Sequence, residues 1–574
     1  MLSSGASILL KEQVNLLDSV DHQEGPGLAA NCSAAAHGRP PAPFLRIPPF
    51  PGARLQHFAE RFGERADPLA LATSLRELRV GGSFWGAQPE LPDGHVLVRS
   101  VAPLNLVKRL FAGRPVVLWD PAAETGDDYG VELVVRGECD PWHMLSRSTA
   151  LVAEADDEVC VVAALLGIPC YDFDLDQTSE AASSDRVKRV IEALCGTAFE
   201  NPFTGEAMDA HAVAALCGFW RQLIDSNRGI VGGVGFAFWK QSHIAPLLWS
   251  GSSPFRFLRS LDHTKASDSV AMWRAKLAPG TAAELERRNV AAIEVEDGFL
   301  RSRGLGADCI PPLSITADRL GAHFDPSQPS ELEILLEKGR FDAPILDRAR
   351  ELRSLIVQAG IGKYERGSVV IERRAAGRRH ILVPGQVEDD RAVLAGGCGL
   401  VSNLELLSRV RQQAPDAYIL YKAHPDVLAG HRRGSIPDRD CLMFADEVIG
   451  DVPIASLISM VDEVHVNTSL AGFEALMRGK KVTTYGVPFY AGWGLTDDLG
   501  PVPARRTAKR TLDEMVAATL LVYPRYLDPV TGLPCPAEVA VARLSASDDR
   551  AQGLIVSMRR LQGKFMRRLR SLVQ

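Results

Sequence analysis

The chain has 574 residues, with 64 Lys and Arg against 71 Asp and Glu, a formal net charge of −7 at pH 7. Hydrophobic residues make up 46%, charged ones 24% and aromatics 7%, an ordinary globular balance that excludes wholesale disorder, collagen and coiled coil. It also excludes a general nucleic-acid binder, which needs a basic field, and no run of about 18 uncharged apolar residues is present to span a membrane.

At about 150 residues per domain the length predicts three or four domains. The first ten residues lack a basic segment and a long apolar core, so no signal peptide is expected. The ten cysteines show neither CxxC nor Cys/His spacing, which predicts buried, reduced thiols and no metal site. Residues 1–52, ending in HGRPPAPFLRIPPFPG, read as a flexible leader. Over 53–199 strand and helix patterns alternate: RPVVLWD (114–120) is a buried strand, and DEVCVVAALLG (157–167) a helix entering the strand IPCYDF. Residues 200–230 read as a helical connector. From 231 to 545 the alternation is more regular, with strands at AAIEVE (291–296), RHILVPG (379–385), AYILYKAHP (417–425), DEVHVN (462–467) and KVTTYG (481–486). Such alternation predicts an α/β, doubly wound parallel architecture with ligands at the carboxyl ends of strands.

Leu145–Tyr171 aligns without a gap on Leu457–Thr483 at an offset of 312, and Gly167 falls on Gly479. ENPFTGE (200–206) echoes LDPVTGL (527–533) at a slightly larger offset. Two tandem modules of related fold are expected, the first one eroded: Asp157 and Val162 stand where the second copy has Ser469 and Glu474.

Four clusters in the second module follow strands. VEDGFLRSRGLG (295–306) brings Glu296 and Asp297 together ahead of Arg301 and Arg303. PGQVEDDR (384–391) places Glu388, Asp389 and Asp390 in succession, which requires solvent or a cationic partner because like charges repel. YKAHPDV (421–427) sets Lys422 beside His424, a pair suited to phosphate, with Asp426 to orient the imidazole. In VNTSLAGFEALMRGKKV (466–482), Asn467, Thr468 and Ser469 read as the N-cap of a helix, whose free N–H groups favour an anion. Glu474, inside that apolar helix, is placed to meet a sugar hydroxyl. Together the clusters predict a cleft with a phosphate side (Lys422, His424, Ser469) and a carboxylate side (Glu296, Asp297, Asp390). The P-loop, the G-x-S-x-G elbow and the zincin motif are missing.

EDGFLRSRGLG, PPLSITAD, PGQVEDDR, SNLELL, YKAHPDV, TSLAGFEALMRGKKV and YGVPFYAGWGLT occur in this order. The region from about Gly232 to about Pro529 thereby resembles capsule polysaccharide synthesis proteins of the KpsC type, also described as capsule export proteins. The resemblance implies a retaining glycosyltransferase that moves the acidic sugar Kdo from CMP-Kdo onto a lysophosphatidylglycerol-type lipid acceptor in Gram-negative capsule linker synthesis. The implied fold is GT-B-like, with Rossmann-type lobes at about 231–375 and 376–510 preceded by a degenerate related α/β module. By the same resemblance Asp390 is the nucleophile and Glu296 or Asp297 the acid/base. Gln386, Lys422, His424, Thr468, Ser469 and Glu474 hold the CMP donor, and Arg301 is the candidate for the sugar carboxylate by charge alone. The arrangement requires no metal or other cofactor.

The chain departs from the family pattern in two ways. No EDGF, Q-x-x-x-D or HPDV occurs before residue 230, where the family usually has a second intact module, so one working site is expected. Ala423 stands where the family usually has Pro before HPDV. The segment 546–574 is a basic amphipathic tail suited to anionic lipid, which makes a cytoplasmic, peripheral inner-membrane location the expectation. Two alternative readings are a non-catalytic adaptor of a capsule export assembly and a transferase of another nucleotide-activated acidic sugar.

Overall fold

The computed structural model describes residues 43–546 except 63–65, 121–122, 124–128, 155, 174–179, 302–309, 363–370, 376, 431 and 451. Most of the leader, Arg303 and nearly all of the basic tail lie outside the described residues. The chain divides into two compact units, Met1–Arg228 with Trp249–Pro254, and Gly229–Leu248 with Phe255–Gln574.

The strands of the first unit are β1 (Glu60–Phe62), β2 (Val96–Val98), β3 (Val116–Trp119), β4 (Leu133–Val135), β5 (Ala150–Val152), β6 (Cys170–Tyr171), β7 (Thr197–Glu200) and β8 (Ala207–Met208). Five of them form a parallel sheet in the order β4-β3-β2-β5-β6, while β1, β7 and β8 form a small antiparallel sheet. Every residue of β2, β3 and β5 is buried, as a parallel sheet covered on both faces requires. The last part of the segment read as a flexible leader is packed: Phe44, Leu45, Ile47 and Phe50 are buried, and Arg46 pairs with Glu158 at 2.8 Å. Its prolines set an extended backbone, and its apolar residues anchor it.

Residues 200–230 likewise differ from a connector. They form the β7–β8 hairpin turn and the helix Ala210–Asn227, which packs on the helix Pro68–Leu78 within the first unit. Asp209 caps the longer helix, accepting from Ala212 N at 2.8 Å, and Val213, Cys217, Trp220 and Ile224 form its buried stripe. A Cβ at Gly218 would stand 2.9 Å from Leu78 Cδ2, so glycine permits the close approach of the two helices.

The second unit has two six-stranded sheets. Its strands are β9 (Ile230–Val234), β10 (Ser269–Met272), β11 (Ala291–Asp297), β12 (Ser314–Asp318), β13 (His380–Pro384), β14 (Tyr418–Lys422), β15 (Glu447–Ile449), β16 (Glu463–Val466), β17 (Lys481–Thr484), β18 (Asp497–Asp498), β19 (Arg525–Leu527) and β20 (Pro534–Cys535). The sheet β15-β14-β13-β16-β17-β18 is parallel throughout, as expected. The sheet β20-β19-β12-β11-β10-β9 is parallel only over β9, β10 and β11. The strand β12 returns antiparallel to β11, and β19 and β20 continue antiparallel. No crossover helix is described between β11 and β12, and a parallel return needs one. Gly298 N instead donates to Ser314 O at 2.9 Å, closing a wide hairpin. Residues 525–535, beyond the expected lobe boundary at 510, therefore complete the first sheet. Each sheet has its own core, Ile293, Val295 and Ile315 in one and Ile381, Leu407 and Ile419 in the other. Two α/β lobes of this kind form a GT-B-like fold, and the five-stranded sheet of the first unit is a related α/β module.

Candidate active site

The carboxyl ends of β11, β13, β14 and β16, with the helix Phe238–Leu248, surround one cavity of about 720 Å³ in the second unit. Its walls include the ten residues expected to act on the donor, the sugar or the proton: Glu296, Asp297, Arg301, Gln386, Asp390, Lys422, His424, Thr468, Ser469 and Glu474.

On the β11 side two adjacent carboxylates differ sharply. Asp297 Oδ1 accepts from Lys240 Nζ at 3.0 Å and Oδ2 from Arg301 Nε at 2.8 Å. Burial works against its charge, but Arg301 and Lys240 outweigh it and hold the carboxyl well below the usual carboxylate range. Glu296 accepts from Arg391 Nη1 at 2.5 Å. Burial nevertheless pushes it up to about 7 against Arg391, with Glu294 and Asp297 adding to the rise. Asp297 is thus a fixed anion, whereas Glu296 exchanges a proton near neutrality.

Arg301, expected to meet a sugar carboxylate, is 1% exposed, and its charge is matched by Asp297 while Nη2 donates to Ile310 O at 2.8 Å. A buried guanidinium already paired this way is a poor receptor for a second carboxylate. Lys240 gained no role from sequence, yet it lines the cavity beside Trp239 and stands 3.4 Å from the centre of the Trp273 ring.

The three consecutive acids after β13 find separate partners. Glu388 accepts from Asn403 N at 2.9 Å, and Asp389 accepts from Arg432 at 3.3 Å. Asp390 caps the helix Arg391–Gly396, accepting from Ala392 N at 2.9 Å, and of the three it alone lines the cavity. Its side chain is 47% exposed, with Arg432 Nη2 at 3.9 Å. Gln386 does not project a spare amide: Nε2 donates to Thr468 Oγ1 at 2.9 Å, and Oε1 accepts from Thr468 N at 3.0 Å. Both residues therefore clamp the loops after β13 and β16. Asn403, within SNLELL, completes the clamp by bonding Gln386 N and Gln386 O, each at 2.8 Å.

Lys422 ends β14, is 2% exposed, and donates one long hydrogen bond to Gly450 O at 3.4 Å. A buried ammonium has three donors and favours an anion. His424 caps the helix Pro425–Leu428, its Nδ1 accepting from Asp426 N at 3.1 Å, so the neutral ring carries its proton on Nε2. The backbone of Asp426 thus sets the imidazole tautomer, where sequence had assigned that task to its carboxylate. The helix after β16 begins later than expected: Ala471–Met477 has Leu470 at its N-cap, and Ser469 Oγ accepts from Ala471 N at 3.3 Å. Asn467 turns inward, donating to Leu400 O at 2.6 Å. Glu474 is buried on that helix at the cavity wall. Among the described residues no group of three or more His, Cys, Asp or Glu is arranged to hold a metal ion. None of their helices is long and apolar enough to cross a membrane.

A two-lobed α/β unit with a charged cavity at its strand ends defines the class. Residues 268–526, somewhat under half of the chain, match the family described as "Capsule polysaccharide biosynthesis protein". The capsule polysaccharide modification protein LipA of Neisseria meningitidis serogroup B is 39% identical over 375 residues, covering 64% of this chain and 53% of that protein. The lipopolysaccharide-processing protein LpsZ of Rhizobium meliloti is 45% identical over 255 residues, 44% of this chain and 57% of that one. The structure of Thermosulfurimonas dismutans KpsC, beta Kdo 2,4 transferase, is 31% identical with a TM-score of 0.49, covering 55% of this chain and 98% of that chain. The chain spans about half the length of the curated relatives it matches.

Proposed function

We propose that the second unit is a retaining capsule glycosyltransferase that moves Kdo from CMP-Kdo to a lipid-linked acceptor. The reading rests on the motif resemblance and on one observation, the convergence of all ten candidate residues on a single cavity. Lys422, with His424 and Ser469, supplies the cationic and donor wall for the CMP phosphate. In the first displacement an Asp390 carboxylate oxygen attacks the anomeric carbon, and the bond from that carbon to the phosphate oxygen breaks with its electron pair leaving on CMP. In the second, the acceptor hydroxyl oxygen attacks the same carbon, the Asp390 bond breaks, and the hydroxyl proton passes to Glu296 and then to solvent. Two inversions retain configuration. Asp297 stays ionised and holds Lys240 and Arg301 in place. Attachment to the inner membrane face follows from the lipid acceptor under this reading.

The nucleophile test should preserve the helix cap. Asp390→Asn keeps an oxygen for Ala392 N, whereas Asp390→Ala also loses a cap worth about 1 kcal/mol. Transfer of labelled Kdo to a lipid acceptor is expected to fall at least about 1000-fold in Asp390→Asn at unchanged Tm. Normal transfer by that variant removes Asp390 from the mechanism. Transfer of a different CMP-linked acidic sugar is the alternative, and the pairing of Arg301 with Asp297 fills the expected carboxylate receptor for either sugar alike. Calorimetry with CMP-Kdo against other CMP sugars separates the two.

A further inference from the structure

One guanidinium joins groups that the transfer steps use separately. Arg391 is the first residue of the helix that Asp390 caps, directly beside the candidate nucleophile. Its Nη1 donates to Glu296 Oε1 at 2.5 Å, and its Nη2 donates to Glu294 Oε1 at 2.6 Å. The two glutamates are two residues apart on β11 and therefore share one face of that sheet. Glu294 is 4% exposed and is held from the other side by Arg274 Nε at 3.1 Å. It lies outside the cavity wall, so it serves as a fixed anchor and Glu296 as the reactive end. A planar fork held at both tips has a defined direction, which a single-point ammonium does not.

We infer that Arg391 is a positioning residue: it locks the helix behind Asp390 to β11 and so sets the spacing between nucleophile and proton acceptor in the two displacements. This inference rests on the transfer reading above. An ion pair that merely stabilised the fold would need no reactive carboxylate at one tip. Burial, with Glu294 and Asp297 as like charges, keeps Glu296 titrating near neutrality against Arg391.

The test compares wild type, Arg391→Gln and Arg391→Lys as full chains, reading kcat, donor KM and the pH profile of kcat/KM for transfer from CMP-Kdo. For Arg391→Gln, kcat is expected to fall about 100-fold with donor KM little changed, since misplacement by about 1 Å costs that much. The acid limb, which reports Glu296 losing its proton, is expected to move up by about one pH unit as the opposite charge disappears. Arg391→Lys keeps a charge but reaches one carboxylate, so the limb returns toward wild type while kcat stays low. That split between limb and kcat is what a purely structural role would not produce. If Arg391→Gln fails to fold by thermal melting, the kcat deficit of Arg391→Lys at unchanged Tm decides alone. Wild-type kcat in the folded variants, or a loss carried by donor KM, overturns the inference and leaves the transfer reading standing. A wild-type chain that transfers no sugar from any CMP donor overturns both.

Discussion

The five-stranded sheet of the first unit and the second sheet of the second unit follow one strand order. In chain order both read third, second, first, fourth, fifth, and the second sheet adds β18 at its edge. The correspondence extends to single hydrogen bonds. Ile168 N donates to Ala163 O at 2.8 Å and Gly167 N to Ala164 O at 3.1 Å. At the same offset of 312, Lys480 N donates to Ala475 O at 3.0 Å and Gly479 N to Leu476 O at 2.9 Å. What separates the two sheets is the chemistry at their strand ends. The strand register pairs Val152 with Val98 and Val98 with Leu118, and it pairs Val464 with Leu382 and Leu382 with Leu420. Two residues further along, Asp120 therefore occupies the place of Lys422. Asp157 occupies the place of Ser469 and pairs with Arg99 at 2.8 Å, while Arg99 stacks 4.0 Å from the Trp119 ring centre. The same backbone carries an ion pair stacked on an aromatic ring in one unit and a neutral Gln386–Thr468 clamp beside a buried lysine in the other. Strand order is set by apolar pattern and turns, and it survives when the polar residues at the strand ends change.

The largest expected effect comes from importing that difference. Under the transfer reading Lys422→Asp places a carboxylate on the wall proposed for the phosphate and is expected to weaken CMP binding by at least about 100-fold, the lower end of what removing a buried charge partner costs. Lys422→Met separates loss of charge from loss of fold. The reciprocal Asp120→Lys should leave CMP binding by calorimetry unchanged. Equal CMP affinity in Lys422→Asp and wild type would break the contrast between the sheets.

A second pair of matching elements gives a smaller effect. Both NPFTG (201–205) and DPVTG (528–532) close antiparallel hairpins, with Gly205 at φ 77° and Gly532 at φ 73°. Asn201 Oδ1 accepts from Phe203 N at 2.9 Å, and Asp528 Oδ1 accepts from Val530 N at 3.2 Å. Asp528 alone carries charge and is paired with Arg543 Nε at 2.8 Å. Asp528→Ala is therefore expected to cost about 3 kcal/mol and Asn201→Ala about 1 kcal/mol, measured by denaturant unfolding of each unit's transition. Equal costs would mean that the ion pair adds nothing to the turn.

The echo between these hairpins and the 312-residue repeat were both legible in the sequence because they rest on glycines, turn polars and apolar spacing, which are local. The parallel sheet was legible for the same reason, since strand ends can be found by pattern, and the family motifs marked ten of the residues that line the cavity. The antiparallel return of β12 was not, because PPLSITAD has the composition of any buried strand and its direction depends on the connection. The packed FLRIPPF segment was masked by its prolines. Lys240 and Arg391 carried no signal, since their meaning comes from partners 57 residues and 95 to 97 residues away in the chain. Arg301 and Gln386 looked like ligand contacts until their partners Asp297 and Thr468 were seen.

The smallest effect tests whether the shared geometry is shared energetically. Gly167 at φ 72° and Gly479 at φ 69° end matching helices in the left-handed region, and a Cβ built at either meets nothing within 4 Å. Alanine at these positions therefore brings no clash, and its cost is the backbone preference alone, about 1 kcal/mol. The neighbourhoods differ greatly, since one helix ends beside an ion-paired strand end and the other carries Glu474 at a cavity wall. If the helix terminus is an independent local device, Gly167→Ala and Gly479→Ala lower the stability of their units by the same amount within error. Unequal losses would show that the cavity residues strain the second helix, and that function has altered the backbone as well as the side chains at the carboxyl ends.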